Sequence, residues 1–438
     1  MPTENSATPT VTGLRLVFRS LRYRNYRLFF GGQGISLIGT WMQRVAQIWL
    51  VYRLTNSAFL LGVVGFAGQI PTFLLTPFAG VLADRWNRRR IIIATQFLAM
   101  LQALFLALLV LTGTVEVWHI VCLSISLGVI NAFDMPTRQS FVVDMVEKKE
   151  DLGNAIALNS SLVNAARLLG PSIAGILIAT VGEGLCFLIN ALSYLAVIAA
   201  LLAMRLPQPK TEAVNKKVLQ GLKDGLVYAF GFVPIKSIIL LLALVSLMGM
   251  PYQLLMPIFA RDILQGGPHT LGFLMGASGL GALIGAIYLA ARKSVRGLEN
   301  IIALAAGIFG VGLMAFSMSR TVWLSLLLVL LAGFGMMVQM ASSNTMLQTL
   351  VDDDKRGRVM SFYTMAFMGM APFGSLLAGA LASKIGAPHT LLIGGCICIL
   401  GGLLFARKLT AFREVARQVY VRKGIIMEGV PSTVPTEI

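Results

Sequence analysis

The sequence predicts an all-α membrane protein in which twelve transmembrane helices form two parallel six-helix halves. Three observations lead to this prediction: an apolar composition, repeated apolar stretches of spanning length, and a similarity between the two halves of the chain. The 438 residues are 56% hydrophobic and only 13% charged, whereas soluble proteins carry about 25% charged residues. A transmembrane helix needs about 20 mainly apolar residues, and this chain supplies that length many times.

Apolar periodicity and the charged turns between apolar stretches locate the helices in chain order. Residues 1–13 are polar and lack the apolar segment of a signal peptide, so we expect no cleaved leader. The predicted spans cover residues 28–52, 58–83, 91–112, 117–136, 155–180, 184–205, 236–259, 270–291, 299–319, 321–345, 359–382 and 387–407.

The two halves resemble each other at an offset of about 205 residues, as expected for parallel repeats related by an axis along the membrane normal. Trp118 opens the fourth helix and Trp323 opens the tenth. The pair Ala174-Gly175 corresponds to Gly379-Ala380. The polar segment between the halves is rich in lysine and contains three prolines, which indicates a linker.

The positive charge of the chain is placed asymmetrically. Its net charge is +17, but most of the 36 Lys and Arg lie in alternate inter-helix segments and the two tails. This asymmetry indicates a membrane orientation rather than a nucleic-acid partner, and it predicts that both termini are cytoplasmic. The expected regions are a cytoplasmic basic segment 1–27, an N-terminal bundle 28–205, a cytoplasmic linker 206–235, a C-terminal bundle 236–407 and a cytoplasmic tail 408–438.

The turn after the second helix carries a spaced motif, Gly-Val-Leu-Ala-Asp-Arg-Trp-Asn-Arg-Arg, over residues 80–89. Gly80 allows close helix approach, and Asp84 at a helix end can pair with arginines or accept from the N-terminus of another helix. The loop is held on the cytoplasmic side by Arg85, Arg88 and Arg89. A generic positive hairpin is the alternative explanation of the arginines.

The pattern G-x-x-x-D-R-x-x-R-R between two helices resembles the major facilitator superfamily. Four further segments resemble its drug:proton antiporter branch, in particular the enterobactin exporters and macrolide efflux proteins, also called transmembrane secretion effectors. These segments are residues 36–43, 54–58, 131–139 and 164–171, and the resemblance covers about residues 20–410. It implies the major facilitator fold, alternating access, and a loop 80–90 that latches the cytoplasmic side in the outward-open state.

The fifth helix contains Gly170-Pro171, which resembles the antiporter motif of that branch and implies export. An ordinary kinked packing helix is the alternative. Arg167 falls about 18 Å from the cytoplasmic end, and a midplane arginine costs about 2.5–3.5 kcal/mol on insertion scales. We therefore expect Arg167, on one face with Asn164, to meet either a cavity or an anionic partner, with a structural pair as the alternative.

The first helix carries polar residues at spacings of three and four, which include Gln43 and Gln47, with Arg44 beside them. Such residues are poorly placed against lipid, so they predict the lining of a water-filled cavity. For the glutamines, hydrogen bonds between helices are an open alternative. For Arg44, the alternative is a side chain that extends to the outer interface.

The fourth helix contains the most membrane-embedded carboxylate, Asp134, which shares a face with Asn131 and forms an i,i+4 pair with Arg138. Asp134 is the best candidate for proton coupling, with a structural ion pair as an equal alternative. One departure from the family pattern is the lack of a basic residue in the stretch before Gly128. In the second half, Gln253 and Gln339 are cavity candidates by analogy with the family plan.

No nucleophile–base pair, phosphate loop or metal cluster is evident, so we expect neither an enzyme nor a cofactor. The resemblance instead implies a monomeric exporter of small molecules in a bacterial inner membrane, with the bilayer as its environment and the proton as coupling ion. Two embedded arginines favour a neutral or anionic substrate such as a siderophore or a drug-like amphipathic compound. The alternatives are a cationic or neutral multidrug pump and a non-transporting scaffold or sensor.

Overall fold

The computed structural model describes residues 18–205, 231–292, 294–352 and 355–422, and for residues 80–85, 411, 415 and 418 it describes the backbone alone. The predicted linker 206–235 therefore lies almost wholly outside the described residues. Within those ranges the chain forms helices joined by short turns, and no strand occurs in them.

Six long helices form the N-terminal half, preceded by a short 3-10 turn at Arg19–Arg22. They are α1 Arg24–Thr55, α2 Ala58–Arg85, α3 Arg88–Leu111, α4 Val117–Asp144, α5 Lys149–Val181 and α6 Glu183–Ala203. The C-terminal half contains α7 Val233–Met248, α8 Tyr252–Ile258, α9 Pro268–Ala290, α10 Leu298–Met318, α11 Val322–Leu350, α12 Arg356–Met368, α13 Met370–Ile385, α14 Ala387–Arg407 and α15 Leu409–Arg422.

Two spans of the second half are interrupted helices. α7 and α8 join a π-helical turn at Phe259–Ile263 to make one span, and α12 and α13 meet at Gly369 to make another. Pro251 at the start of α8 lacks the amide hydrogen that a continuous helix would use there. Counted in this way, the second half has six spans followed by the terminal helix α15.

Eleven of the twelve spans are long and apolar enough to cross a membrane by length and composition alone. The twelfth is α1, which has 32 residues and is about 48 Å long at the usual helical rise. The hydropathy of α1 lies below that criterion because the helix contains several glutamines and Arg44 among its apolar residues. It nevertheless packs along α5 and α6 inside the bundle, so the predicted fold of twelve membrane helices in two halves is confirmed.

Several helices extend further than their apolar stretches predicted. The fourth was expected over 117–136 and runs over Val117–Asp144, and the fifth was expected from 155 and begins at Lys149. Helical hydrogen bonds continue past the hydrocarbon layer, whereas hydropathy ends there, so apolar length underestimates these helices. Within the predicted tail 408–438, the structure forms the helix α15 over Leu409–Arg422.

The bundle has two ends, a linker end and a far end. The linker end is where α1 and α7 begin and α6 and α14 finish. The far end contains the opposite turns, including Gly182 and Gly386, which begin α6 and α14 with φ angles of 84° and 83°. Only glycine adopts this left-handed region readily. The two glycines occupy equivalent turns of the two halves, which agrees with the internal repeat.

The two halves meet through two helix pairs, α2 with α13 and α5 with α9. At the far end each pair is built on glycines. A Cβ added to Gly62 would lie 3.0 Å from the Cα of Gly379, and a Cβ added to Gly175 would lie 2.9 Å from the Cα of Gly272. Small residues let helix backbones approach in this way. Because the repeat relates one pair to the other, both contacts close the same end.

The terminal helix α15 packs across the linker end of the second half. Its apolar face, which includes Phe412 and Tyr420, is buried, and the Tyr420 hydroxyl contacts the sulfur of Met346. Arg413 lies 3.4 Å from the carboxylate of Glu299 at the start of α10, and Arg422 pairs with Asp352 after α11. Burial raises the pKa of Tyr420, which lies outside the spans. α15 thus ties α10 to α11.

Candidate functional site

Two arginines from different helices share one aromatic ring in the middle of the bundle. The guanidinium carbon of Arg44 lies 4.7 Å from the ring centroid of Trp41, and that of Arg167 lies 5.2 Å from the same centroid. Trp41 and Arg44 belong to α1, and Arg167 belongs to α5. Each cation is attracted by the ring, at about 0.5–2 kcal/mol, while the two positive charges repel each other.

A glycine contact positions the shared ring. A Cβ added to Gly170 would lie 2.5 Å from the Cβ of Trp41 and 3.0 Å from the carbonyl oxygen of Ile38. Gly170 therefore allows α5 to lie directly against α1 at the depth of Trp41. Pro171 follows inside the helix and is buried. This local packing presents Arg167 to the same ring that Arg44 contacts.

Arg44 and Arg167 lack a carboxylate partner among the described residues. Neither takes part in an ion pair or in a hydrogen bond, and the buried Nε of Arg167 has no acceptor within the described part of the chain. Arg44 is exposed and Arg167 is half-buried. Both guanidinium groups therefore remain accessible beside the Trp41 ring.

The second half contributes polar groups at the same depth. A Cβ added to Gly279 of α9 would lie 2.9 Å from the carbonyl oxygen of Arg167. At the neighbouring position of α9, the Ser278 hydroxyl lies 2.5 Å from the hydroxyl of Tyr252 at the start of α8, which accepts a hydrogen bond of 3.3 Å from the amide of Gln253. Arg167 and these groups therefore face each other across the boundary between the halves.

Asp134 lies away from this pair, between α3 and α4. Its carboxylate accepts hydrogen bonds from Thr95 at 2.9 Å and from Gln96 at 2.8 Å, and it lies 3.4 Å from the Nε of Arg138. The predicted i,i+4 ion pair is confirmed. Asp134 is 4% exposed, so a proton would reach it only through a path between helices or after a rearrangement.

Gln43 points away from Arg44, into the first half. It donates to Gln102 of α3 at 3.0 Å and accepts from Asn190 of α6 at 2.6 Å. Asn190 in turn lies beside Ser193, whose hydroxyl bonds to it. These contacts support hydrogen bonding between helices, the alternative that the sequence left open, as the role of Gln43.

The remaining polar candidates lie at several places. Gln47 donates to the Ser124 hydroxyl on α4 at 2.7 Å. Asn164 donates to the carbonyl of Ser160 one turn earlier on α5. Gln339 is buried and lies 3.4 Å from Ser343 on its own helix, and Asn131 is half-buried on α4. Of the predicted pathway residues, the structure thus brings Arg44 and Arg167 together on one ring, and Gln253 lies beside Tyr252 in the facing half.

The structure describes only some side chains of the predicted gating motif at residues 80–89. Gly80, Asp84 and Arg85 lie in the last turns of α2, and their side chains are outside the described residues. Arg88 lies 3.1 Å from the carboxylate of Asp144 at the end of α4, and Arg89 donates to the carbonyl of Leu202 on α6. These arginines hold the linker-end turn against α4 and α6 of the same half.

A polar latch joins the halves at the far end. The Tyr52 hydroxyl donates to the carboxylate of Asp262, which lies in the π-helical turn after α8. Arg261 of that turn donates to Asn56 at 2.8 Å, and its guanidinium carbon lies 5.9 Å from the Tyr52 ring centroid. Asn56 ends α1 with a φ of 48°. The latch adds polar contacts to the glycine pairs of this end.

Sequence reasoning missed several residues that the structure places at or near the candidate site, among them Trp41 and Ser278. Trp41 precedes Arg44 by three positions and so shares its helix face. Thr95, Gln96 and Gln102 on α3 were also missed. Each is a polar residue within an apolar span, and that position was the available sign. Among the described residues, no group of three His, Cys, Asp or Glu could hold a metal ion.

Comparisons with known proteins agree on one family. The transmembrane secretion effector family matches residues 17–422. The staphyloferrin A transporter of Staphylococcus aureus is 25% identical over 376 residues, which cover 85% of this chain and 94% of that protein. Macrolide efflux protein A of Streptococcus pyogenes is 24% identical over 395 residues, with 86% and 95% covered.

A solved structure extends the similarity to the fold. The structure of a bacterial homologue of the human lysosomal transporter Spinster superposes with a TM-score of 0.66 at 14% identity. The superposition covers 91% of this chain and 98% of that one. At this identity the match bears on the fold alone, and it agrees with the twelve-span bundle described above.

Proposed function

The chain belongs to the transmembrane secretion effector family of the major facilitator superfamily, and we propose that it exports small organic molecules by alternating access in exchange for protons. The family and the relatives make it a multi-pass membrane efflux transporter and not an enzyme. The observation that carries the proposal is the position of Arg167 and Tyr252 against α9, between two halves that are closed together at the far end.

Alternating access requires a site between two halves that can separate at either end in turn. The far end is joined by two glycine pairs and the Tyr52–Asp262 latch. By the positive-inside rule we infer that the linker end is cytoplasmic, and closure of the far end agrees with the inward-facing state of an exporter in a bacterial inner membrane. In the opposite state, the turn 80–90 would take over as the cytoplasmic latch.

Proton coupling rests on the carboxylate of Asp134. Among the described residues it is the acid furthest from either end of its span, ten residues before the end of α4. Its partners Thr95 and Gln96 can donate to the ionised form, and Arg138 offsets its charge. Protonation would weaken the pair with Arg138 and the hydrogen bonds from Thr95 and Gln96 of α3, and the change in those hydrogen bonds gives a way for proton binding to alter the contacts between α3 and α4.

The substrate class follows from the relatives and the site. The named relatives transport staphyloferrin A and macrolides, and both names fit the siderophore or drug-like compound that we propose for this chain. Trp41 supplies an aromatic surface, and Tyr252 and Gln253 supply hydrogen-bonding groups. Such a mixture of apolar surface and a few polar groups is typical of small-molecule sites.

The proposal is tested in inside-out membrane vesicles that contain the full chain. Accumulation of staphyloferrin A and of a macrolide is measured with and without a proton gradient of matched size. We expect accumulation driven by the gradient and abolished by a protonophore. Accumulation of equal size with and without the gradient would contradict proton coupling but would remain consistent with export. If no compound in a panel of siderophores and drugs accumulates above the level in empty vesicles, export is contradicted.

A variant pair separates coupling from folding in the same assay. Asp134→Asn keeps the shape and most hydrogen bonds of the side chain but removes its titration. We expect it to lose gradient-driven accumulation while retaining exchange of labelled for unlabelled substrate, because exchange needs no net proton movement. Equal loss of both activities would assign Asp134 a structural role.

A further inference from the structure

We propose that Arg44 and Arg167, held on the Trp41 ring, form a binding site for a carboxylate group of the transported molecule. This inference rests on the proposed export function and deepens it by naming a substrate class: organic anions that carry at least one carboxylate beside an apolar or aromatic body. The site lies at the middle of the bundle, where α1 and α5 of the first half face α9 of the second.

The first argument is charge. Two guanidinium groups that share one ring repel each other, and a charged group with a buried donor, such as the Nε of Arg167, is ordinarily paired. Among the described residues, the carboxylates that lie near basic groups form ion pairs with residues other than Arg44 and Arg167. Asp134 pairs with Arg138, Glu183 with Arg53 at 2.7 Å, and Asp151 with Arg19 and Arg22. A ligand carboxylate would supply the missing negative charge and relieve the repulsion.

The second argument is the unused hydrogen-bonding capacity. Arginine presents five N–H donors in a planar fork that matches a carboxylate. The Nε of Arg167 is buried without an acceptor among the described residues, and neither guanidinium donates a hydrogen bond within them. A buried donor without a partner keeps the full penalty of its lost hydration. This penalty is recovered when an anion with two oxygens occupies the site.

The third argument is the rigidity of the support. Gly170 brings α5 against Trp41, because a Cβ at this position would lie 2.5 Å from the Trp41 Cβ. The ring in turn orients both guanidinium groups, so little side-chain entropy remains to be lost on binding. Sites with such supported donors select for charge and geometry. Trp41 is therefore a positioning residue in this proposal, and the two arginines are the binding residues.

The test uses a matched pair of fluorescent probes, dansylglycine and its amide dansylglycinamide, which differ in one negative charge. Binding of each probe to the purified full-length protein in detergent is measured by fluorescence anisotropy. We expect the wild type to bind the carboxylate at least about tenfold more tightly than the amide, the effect of one charge-assisted hydrogen bond. Equal affinities, or no binding of the carboxylate, would overturn the proposal.

Single-charge variants locate the preference. Arg44→Gln and Arg167→Gln should each reduce the carboxylate preference by about tenfold or more, and Arg167→Lys should retain part of it because the charge remains while the fork is lost. Arg27→Gln is the matched control, since it removes one exposed arginine from the same helix, about 20 Å from Trp41 at the helical rise. A preference that survives in the double Arg44→Gln, Arg167→Gln variant contradicts the assignment.

The vesicle assay and the probe-binding assay distinguish a failure of the proposed export from a failure of the proposed carboxylate site. A protein that prefers dansylglycine in detergent but accumulates no compound in vesicles would keep the carboxylate site and refute export. A protein that accumulates a macrolide in vesicles but binds the two probes equally would keep export and refute the carboxylate site. Trp41→Phe adds a check on positioning: we expect it to weaken carboxylate binding with little effect on the amide.

Discussion

Gly175 of α5 and Gly272 of α9 face each other so closely that a Cβ on Gly272 would lie 2.7 Å from the Cα of Gly175. The internal repeat places the same relationship between Gly62 and Gly379 on the other side of the bundle. Both contacts join the halves at the far end. The two glycine contacts must therefore separate when the far end opens.

Gly175→Ala should destabilise the closed far end. The added methyl group would lie 2.9 Å from both the Cα of Gly272 and the carbonyl oxygen of Pro268, and overpacking of this kind costs about 1–3 kcal/mol. We expect the distance between spin labels at Thr180 and Ser383 to shift toward longer values in a double electron–electron resonance experiment.

The control for this substitution is Gly153→Ala on the same helix, because a Cβ there would meet open space. It should leave the distance between the two spin labels as it is in the wild type. Unchanged distances in Gly175→Ala as well would contradict the role of the glycine contact in closing the far end.

Tyr52→Phe should weaken the same closed state by a different route. It removes the hydroxyl that donates to Asp262 but keeps the ring that Arg261 contacts. Hydrogen bonds to charged groups contribute about 1.5–3 kcal/mol, so the far end should open more often in this variant. The measurement uses a cysteine placed at Ser278, deep in the bundle, and an impermeant thiol reagent added from the far side. We expect a clear rise in the labelling rate of this cysteine. Tyr288→Phe on α9 serves as the control, since Tyr288 is exposed. Equal labelling in both variants would argue against the latch.

Asn190→Leu should lower the stability of the first half. Asn190 donates to Gln43, which itself donates to Gln102, so the substitution leaves a buried amide oxygen without its partner. Hydrogen bonds within membrane bundles average about 0.6 kcal/mol and reach about 1.7 kcal/mol. We expect a lower midpoint of thermal unfolding in detergent. Replacing both Gln43 and Asn190 by leucine should restore part of the loss, and additive effects would show that the two residues do not act as a pair.

Asp134→Asn and Arg138→Gln provide a double-mutant cycle. The two residues form an ion pair at 3.4 Å within the linker-end part of α4. If Asp134 carries a proton during transport, Asp134→Asn should abolish gradient dependence in vesicles even when Arg138→Gln is also present. A purely structural pair would instead show rescue of transport in the double variant, because removal of one partner alone leaves an unpaired buried charge.

The fold was largely predictable because lipid allows few solutions for a backbone. Every amide and carbonyl in the hydrocarbon layer must be hydrogen-bonded within the chain, so an apolar stretch of spanning length has to be helical. The helix α1 shows the limit of this reasoning. Its glutamines and Arg44 place it below the apolar criterion that the eleven other spans meet, and its position beside α5 and α6 explains why it tolerates them.

The site was predictable only in part. Composition and helical position led to Arg44, Arg167 and the Asp134–Arg138 pair, because charged residues within a span must find partners or a cavity. The shared Trp41 ring was not predictable, since it depends on Gly170 bringing α5 against α1. The direction of Gln43 was equally undetermined. A polar residue on a helix can face a cavity or a neighbouring helix, and the spacing is the same in both cases.

By itself, the sequence determined the twelve helices, the internal repeat, the family and the types of residue available for a site. The physical reason is that apolar length, charge asymmetry and turn residues act locally along the chain. The tertiary structure alone decided which polar groups meet: two arginines on one tryptophan, Asp134 among Thr95 and Gln96, and Gln43 against Asn190. Those pairings depend on the relative rotation and approach of helices far apart in sequence, and glycine contacts between backbones set that approach.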